Sequence, residues 1–139
     1  LLGERDWRLD EVAAGTATID PQRITQAVTN LARNAVEHTP DDAAIAFGTR
    51  VEDEALWLWV ADNGPGVAPE DQALIFERFA RAGDGRRRSD GAGLGLAIVQ
   101  AVAEAHQGQV LLFSMPGEGA RFTLVLPLKA AEREPWHAS

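Results

Sequence analysis

A tryptophan-containing apolar stretch that ends in a glycine-rich turn is the strongest constraint on the fold. Residues 55–61 read Ala-Leu-Trp-Leu-Trp-Val-Ala, so apolar side chains occupy both alternating positions. That pattern is typical of a strand whose two faces are both covered. The next five residues, 62–66, read Asp-Asn-Gly-Pro-Gly and force a turn. The sequence therefore predicts a buried strand with a polar turn at its end.

Three helices are predicted around this strand. Asp20-Pro21 provides an N-cap acceptor and a proline for the first turn, and the helix should end near Thr39-Pro40. A second, shorter helix is expected over about 69–79. A third begins at 93–96 and stops at Gly108.

Four further strands are predicted at 44–51, 109–114, 120–127 and, as a short edge strand, around Trp7 and Leu9. The strands over 44–51 and 55–61 are joined closely enough to form an antiparallel hairpin. We therefore expect an α/β (α+β) two-layer sandwich, in which three helices cover one face of a mixed, mostly antiparallel sheet.

The length of 139 residues fits one domain. We expect this domain to span 1–129, with a mobile loop at about 80–92 and a frayed polar tail at 130–139. Because the chain opens with Leu1, it is expected to be cut from a longer protein.

Composition excludes several classes of function. The chain has 13 basic and 21 acidic residues, a net charge of −8, which argues against a non-specific nucleic-acid binder. Cysteine is absent, so disulfides and thiolate metal sites are excluded. The one lysine, Lys129, lies too late in the chain to serve a P-loop or a eukaryotic-type kinase.

Two clusters carry amide and carboxylate groups. Asn30 and Asn34 lie one helical turn apart, and an amide oxygen can bind a hard cation such as Mg²⁺. Asp62, at the end of the buried strand, can accept a hydrogen bond from the exocyclic amine of a base. Each cluster alone has a plainer explanation, as surface asparagines and as a tight turn.

Two more clusters could bind phosphate. The glycine-rich segment 91–96 leads into a helix N-terminus, where free N–H groups and the helix dipole favour anions. Three consecutive arginines occupy 86–88, and guanidinium groups pair well with phosphate oxygens. Taken alone, the glycine-rich segment could equally be a flexible hinge. The three arginines alone could equally be a solvated charged face.

In order and spacing, these clusters resemble the ATP-binding (catalytic) domain of bacterial sensor histidine kinases, within the superfamily that includes gyrase-type ATPases. The resemblance runs from about Arg5 to Pro127. Its segments are the asparagine box (26–40), the first glycine box (62–66), the phenylalanine box (75–79), the second glycine box (91–96) and the closing glycine motif (117–122).

The resemblance implies a Mg-ATP site. Asn34 would coordinate Mg²⁺, with Asn30 beside it on phosphate. Asp62 would accept the adenine amine, while Gly64 and Gly66 let the backbone close on the base.

The resemblance also implies a lid over about 80–92 that nucleotide orders. Ile75 and Phe76 would anchor its start, and an arginine among Arg86, Arg87 and Arg88 would stabilise charge on the transferring group. The second glycine box would present backbone N–H groups to phosphate, through Gly91, Gly93, Leu94, Gly95 and Leu96.

Three positions depart from the family pattern. Glu37 stands where lysine or arginine often faces phosphate, and we expect it to turn outward or to be compensated by the lid arginines. His38 stands where tyrosine is frequent, and either caps the helix or contacts the nucleotide. Ala120 replaces a hydroxyl residue, which would remove a water-mediated contact to adenine.

Asn30 occupies the place where gyrase-type ATPases carry a general-base glutamate, so ATP hydrolysis is not expected.

The resemblance implies a protein-histidine kinase that passes the γ-phosphoryl group of ATP to a histidine on an upstream dimerisation domain. Its partners would be that domain and a response regulator, with no nucleic acid. The fragment would be monomeric, and its parent a homodimeric membrane sensor with this domain in the cytoplasm. The alternatives are a non-catalytic nucleotide-sensing module, which Glu37 and Ala120 favour, and an anti-sigma-factor-type serine kinase.

Overall fold

The computed structural model describes residues 5–13, 17–72 and 92–128. The strands of its five-stranded sheet are β1 (Asp6–Glu11), β2 (Ala44–Glu52), β3 (Ala55–Asp62), β4 (Gln109–Met115) and β5 (Gly119–Pro127). The helices in these ranges are α1 (Pro21–Glu37), α2 (Pro69–Gln72) and α3 (Ala92–Ala105). The rest of the helix predicted over 69–79 lies outside the described residues.

The sheet order is β1-β2-β3-β5-β4. β1 is an edge strand and runs parallel to β2, whereas the other three pairs are antiparallel. Helices α1 and α3 pack on one face, where their apolar side chains meet those of the strands. The predicted sandwich with a mixed, mostly antiparallel sheet is therefore confirmed. No helix within the described ranges is both long and apolar enough to cross a bilayer.

Helix α1 begins as its sequence predicts. The Asp20 carboxylate accepts hydrogen bonds from the N–H groups of Gln22 (3.1 Å) and Arg23 (3.2 Å), and Pro21 occupies the first turn. The helix ends at Glu37, slightly before the predicted boundary, because His38 already leaves helical geometry with φ −109° and ψ 13°. Residues one turn apart are buried along its inner face, namely Ile24, Ala27, Leu31 and Ala35.

The end of α3 differs in detail from the prediction. Gln107, not Gly108, takes the left-handed conformation, with φ 63°. The Gln107 N–H donates to the Glu104 carbonyl (2.9 Å), and the Gly108 N–H donates to Ala103 (2.8 Å), which forms a Schellman motif. Gly108 is needed for another reason, since a Cβ there would collide with the carbonyl oxygen of Val125 in β5.

One histidine fixes the relative direction of the two long helices. The Asp20 N–H, at the start of α1, donates to His106 Nε2 (3.1 Å), just after the end of α3. Since Nε2 accepts, the ring proton is on Nδ1, which donates to the Val102 carbonyl (2.9 Å). The helices therefore run antiparallel, and the last turn of α1 lies at the same end of the sandwich as the first turn of α3.

The sheet face away from the helices is covered partly by its own side chains. Trp59 is only 5% exposed, and its Nε1–H donates to Asp10 in β1 (3.1 Å). The Arg121 guanidinium lies 4.9 Å from the centre of the indole ring. The second face of β3 is thus shielded by its own tryptophan and a stacked arginine.

Candidate functional site

The predicted site residues within the described ranges lie at one end of the sandwich. Asp62 is the last residue of β3, and Asn34 begins the last turn of α1. Because α1 and α3 are antiparallel, the first turn of α3 lies at this end too. The end of a central strand, the end of one helix and the start of another therefore converge.

Asp62 is a half-buried carboxylate held by backbone groups. Its Oδ1 accepts a hydrogen bond from the Gly64 N–H at 2.8 Å, and the Ala120 N–H lies near the carboxylate. Burial raises the pKa of Asp62 above its ordinary value, while these two N–H groups and the nearby His38 act in the opposite direction. A carboxylate has about four lone-pair sites. Asp62 therefore keeps acceptor capacity for a further donor.

The glycine turn after Asp62 is packed between α1 and the last hairpin. A Cβ at Gly64 would lie 2.5 Å from Cγ2 of Thr39. Gly66 has φ +80°, and a Cβ there would lie 2.5 Å from the carbonyl oxygen of Met115. Gly64 must be glycine because the Thr39 side chain approaches it closely, and Gly66 must be glycine because its backbone is left-handed.

Hydrogen bonds fasten this turn to the β4–β5 hairpin. The Ser114 hydroxyl accepts from the Val67 N–H (2.7 Å) and donates to the Gly119 carbonyl (3.1 Å). The Gly117 N–H donates to the Pro65 carbonyl (2.7 Å). The β4–β5 hairpin therefore holds the turn on one side, and Thr39 at the end of α1 contacts it on the other.

Asn34 is a buried polar residue on the inner side of α1. The residue is 8% exposed, and no described residue hydrogen-bonds to its side-chain amide. Across the described ranges, no three His, Cys, Asp or Glu side chains gather to hold a metal ion. An amide oxygen is one of the ligand types that a hard cation such as Mg²⁺ accepts, so the metal role of Asn34 stays a prediction.

The neighbouring predicted residues differ in exposure. Asn30 is half-buried, and its Oδ1 accepts a long hydrogen bond from Arg33 (3.4 Å). Glu37, the last residue of α1, is exposed. His38 is exposed and forms the C-cap, with its N–H donating to the Asn34 carbonyl (3.1 Å).

The second glycine box forms the first turn of α3. A helix that begins at Ala92 leaves the N–H groups of 92–94 without partners inside the helix, so those of Gly93 and Leu94 can donate to a ligand. Leu96 is 3% exposed, and its side chain packs in the core, where it anchors the helix. The phosphate contacts predicted for Gly95 and Leu96 stay predictions.

Some predicted site residues lie outside the described residues: Ile75, Phe76, Arg86, Arg87, Arg88 and Gly91. Most of the predicted lid and the tail at 130–139 do so as well. Sequence reasoning missed Thr39 and Ser114, which support the glycine turn. Thr39 lies inside the asparagine box, but nothing in the sequence indicates that it contacts Gly64.

Comparison with known proteins identifies the family. The model of the histidine kinase-, DNA gyrase B- and HSP90-like ATPases matches residues 19–130. The sensor-like histidine kinase SenX3 of Mycobacterium tuberculosis is 41% identical over 109 residues, which cover 78% of this chain and 27% of SenX3. The sensor histidine kinase WalK of Bacillus subtilis is 36% identical over 121 residues, 85% of this chain and 20% of WalK.

A solved structure shows the same fold. Full-length ShkA in complex with AMPPNP has a TM-score of 0.70 and 36% identity, over 88% of this chain and 26% of ShkA. The chain thus spans about a quarter of the length of such relatives. It belongs to the family of histidine kinase-, DNA gyrase B- and HSP90-like ATPases.

Proposed function

We propose that this chain is the ATP-binding catalytic domain of a sensor histidine kinase. The observation that carries the proposal is the half-buried carboxylate of Asp62, set between the glycine turn and the end of α1. Family membership, relatives named as sensor histidine kinases and a neighbour crystallised with AMPPNP support it.

Asp62 would select adenine. The exocyclic amine of adenine is a donor and can satisfy the remaining acceptor capacity of the carboxylate. Guanine carries a carbonyl at that position, which would face the carboxylate oxygen without a proton between them. Gly64 and Gly66 would let the backbone approach the purine closely.

Asn34 would hold Mg²⁺, and Asn30 would contact phosphate beside it. A bound Mg²⁺ offsets negative charge on the phosphate oxygens. The free N–H groups of Gly93 and Leu94 would receive phosphate at the helix N-terminus. The roles of Ile75, Phe76, the arginines at 86–88 and Gly91 remain predictions.

The reaction would be transfer to a histidine on another domain. An imidazole nitrogen of the acceptor forms a bond to the γ-phosphorus, the bond from that phosphorus to the bridging oxygen breaks, and ADP leaves with the electron pair. Asn30 offers no general base for water, so hydrolysis would be slow. His106 is occupied in joining α1 to α3 and is not a suitable acceptor.

The partners would follow from this reaction. The parent protein would supply a dimerisation domain with the acceptor histidine, and a response regulator would receive the phosphoryl group. The parent would be a homodimeric membrane sensor, with this domain on the cytoplasmic side.

Two measurements test the proposal. Calorimetry should detect binding of ATP to the 139-residue chain with Mg²⁺, and weaker binding for Asn34→Ala. Thr25→Ala, an exposed polar position on α1, is the matched control. Radiolabelled ATP should then label the separately produced acceptor domain of the parent with acid-labile phosphate.

Three results would contradict the proposal. Acid-stable label would favour the serine kinase, whereas binding without any transfer would favour a nucleotide-sensing module. Rapid ATP hydrolysis by the isolated chain would contradict the assignment of Asn30.

A further inference from the structure

Arg5 is a buried cation outside the predicted site. Its side chain is 6% exposed, although the residue lies just before the edge strand β1. Its guanidinium donates to Thr39 Oγ1 at 2.8 Å, to the Val36 carbonyl at 3.0 Å and to the Thr39 carbonyl at 3.3 Å. A buried charge is tolerated when it is hydrogen-bonded in this way. Arg5 is therefore fixed against the end of α1.

The partners of Arg5 explain why a cation belongs there. The carboxylate of Asp41 is fully exposed and 3.8 Å from the guanidinium, so this ion pair contributes little. The last turn of α1 contains no basic residue and ends in Glu37. Free carbonyls and the helix dipole place negative charge at this end. Arg5 supplies the positive charge that the helix itself lacks.

The contact continues from Arg5 to the site through Thr39. The Thr39 hydroxyl accepts from Arg5 and donates to the Ala35 carbonyl at 2.7 Å, so its proton and one of its two lone pairs are committed. This fixes the rotamer of a β-branched side chain and thus the position of its methyl group. That methyl group lies against Gly64, where a Cβ would be 2.5 Å from Thr39 Cγ2.

Gly64 completes the path because its N–H donates to Asp62 Oδ1 at 2.8 Å. We propose that Arg5 is a positioning residue for base recognition: through Thr39 and Gly64 it sets the orientation of the Asp62 carboxylate. This inference rests on the proposed function, in which that carboxylate reads adenine. Its prediction is specific, because loosening Asp62 should impair the choice of base more than the binding of phosphate.

The experiment measures the dissociation constants of Mg-ATP and Mg-GTP by calorimetry for the whole chain. Arg5→Ala should weaken ATP binding roughly fivefold to tenfold, the effect of losing about one hydrogen bond, and should change GTP binding less. Arg5→Lys should recover part of the preference for ATP over GTP, because an ammonium can replace only part of the guanidinium contact. Arg8→Ala removes the same charge three residues later, where the side chain pairs with Asp6 at the surface, and should match the wild type.

Thr39→Ser separates positioning from stability. Serine keeps the hydroxyl that bonds to Arg5 and Ala35 but lacks the methyl group against Gly64. This variant should fold as stably as the wild type and still lose part of the ATP preference. If Arg5→Ala fails to fold, the ATP preference of Thr39→Ser decides whether Arg5 and Thr39 position Asp62.

The outcomes are distinct. If a folded Arg5→Ala keeps the wild-type ratio of ATP to GTP affinity, or if Thr39→Ser does so, the positioning role is wrong. If the wild-type chain binds neither nucleotide, or binds both equally, the proposed function or its base assignment fails instead.

Discussion

The indole ring of Trp59 lies directly over the backbone of Gly48, its partner across β2 and β3. A Cβ on Gly48 would overlap the ring, which Asp10 and Arg121 hold from two sides. Glycine in a strand usually weakens it. Here it provides the space in which tryptophan covers the outer face of the sheet.

Gly48→Ala should therefore lower the free energy of unfolding by about 1–3 kcal/mol, the usual cost of overpacking. Urea denaturation measures this change. Trp59→Leu makes room for the added methyl group, so Gly48→Ala should cost much less in that background. Equal costs in both backgrounds would show that the ring does not set the requirement. ATP affinity should be unchanged, because the ring faces away from the helices.

Asp62→Asn should weaken binding of adenine nucleotides by about 1–3 kcal/mol, since the added NH₂ group cannot accept from the purine amine. Calorimetry with ATP and GTP measures the loss. Unchanged ATP affinity would refute the assignment of Asp62. Because the Asn side chain can donate to the guanine carbonyl, the preference for ATP over GTP should also fall.

The same substitution should stabilise the unliganded fold at neutral pH. The pKa of Asp62 is raised above 3.8 in the folded chain, so the unfolded chain loses this proton first as the pH rises. Ionisation therefore lowers the free energy of unfolding between the unfolded and folded pKa values, and the penalty persists at pH 7. Asp62→Asn should be the more stable protein at pH 7, and this advantage should shrink as the pH falls through that range. Denaturation curves over pH 3–8 test this sign.

The β2–β3 hairpin turn contains strain that substitution can remove. Asp53 and Glu54 have φ values of 54° and 62°, in the region that favours asparagine and glycine. Asp53→Asn with Glu54→Gly should raise the free energy of unfolding by about 1 kcal/mol. In the β4–β5 turn, Glu118 does not have a positive φ. Glu118→Gly should therefore lower stability, and a gain there would contradict the explanation.

The end of α3 offers a paired test at adjacent positions. Gln107→Gly should stabilise the chain by about 1 kcal/mol, because Gln107 is left-handed at φ 63°. Gly108→Ala should destabilise it by about 1–3 kcal/mol, because its Cβ would meet the Val125 backbone. Thermal denaturation of the two variants should shift in opposite directions. A gain from Gly108→Ala would contradict the packing argument.

Much of the fold could be predicted from the sequence because local signals were strong. Asp20-Pro21 predicts the start of α1, and the continuous apolar run over 55–61 predicts β3. The edge strand at Trp7 was predicted, but its parallel pairing with β2 depends on where α1 returns the chain. Nothing local to β1 encodes that direction.

The site could be predicted only at the level of motifs. The convergence of Asp62, Asn34 and the start of α3 follows from the antiparallel helix pair, which the Asp20–His106 hydrogen bond reveals. Contacts between residues distant in sequence were not predictable. Arg5 and Thr39 are 34 positions apart, and neither residue type alone signals a shared role.

The edge position of β1 affects more than the sheet. Five of its six residues are exposed and its neighbour is β2 alone, so local opening should free its amides for hydrogen exchange before those of β3 or β5. Arg5 immediately precedes β1, so peeling this strand from the sheet would also withdraw the guanidinium from α1. By reciprocal coupling, occupancy of the purine pocket should slow deuterium uptake along β1, a segment that itself never touches the nucleotide.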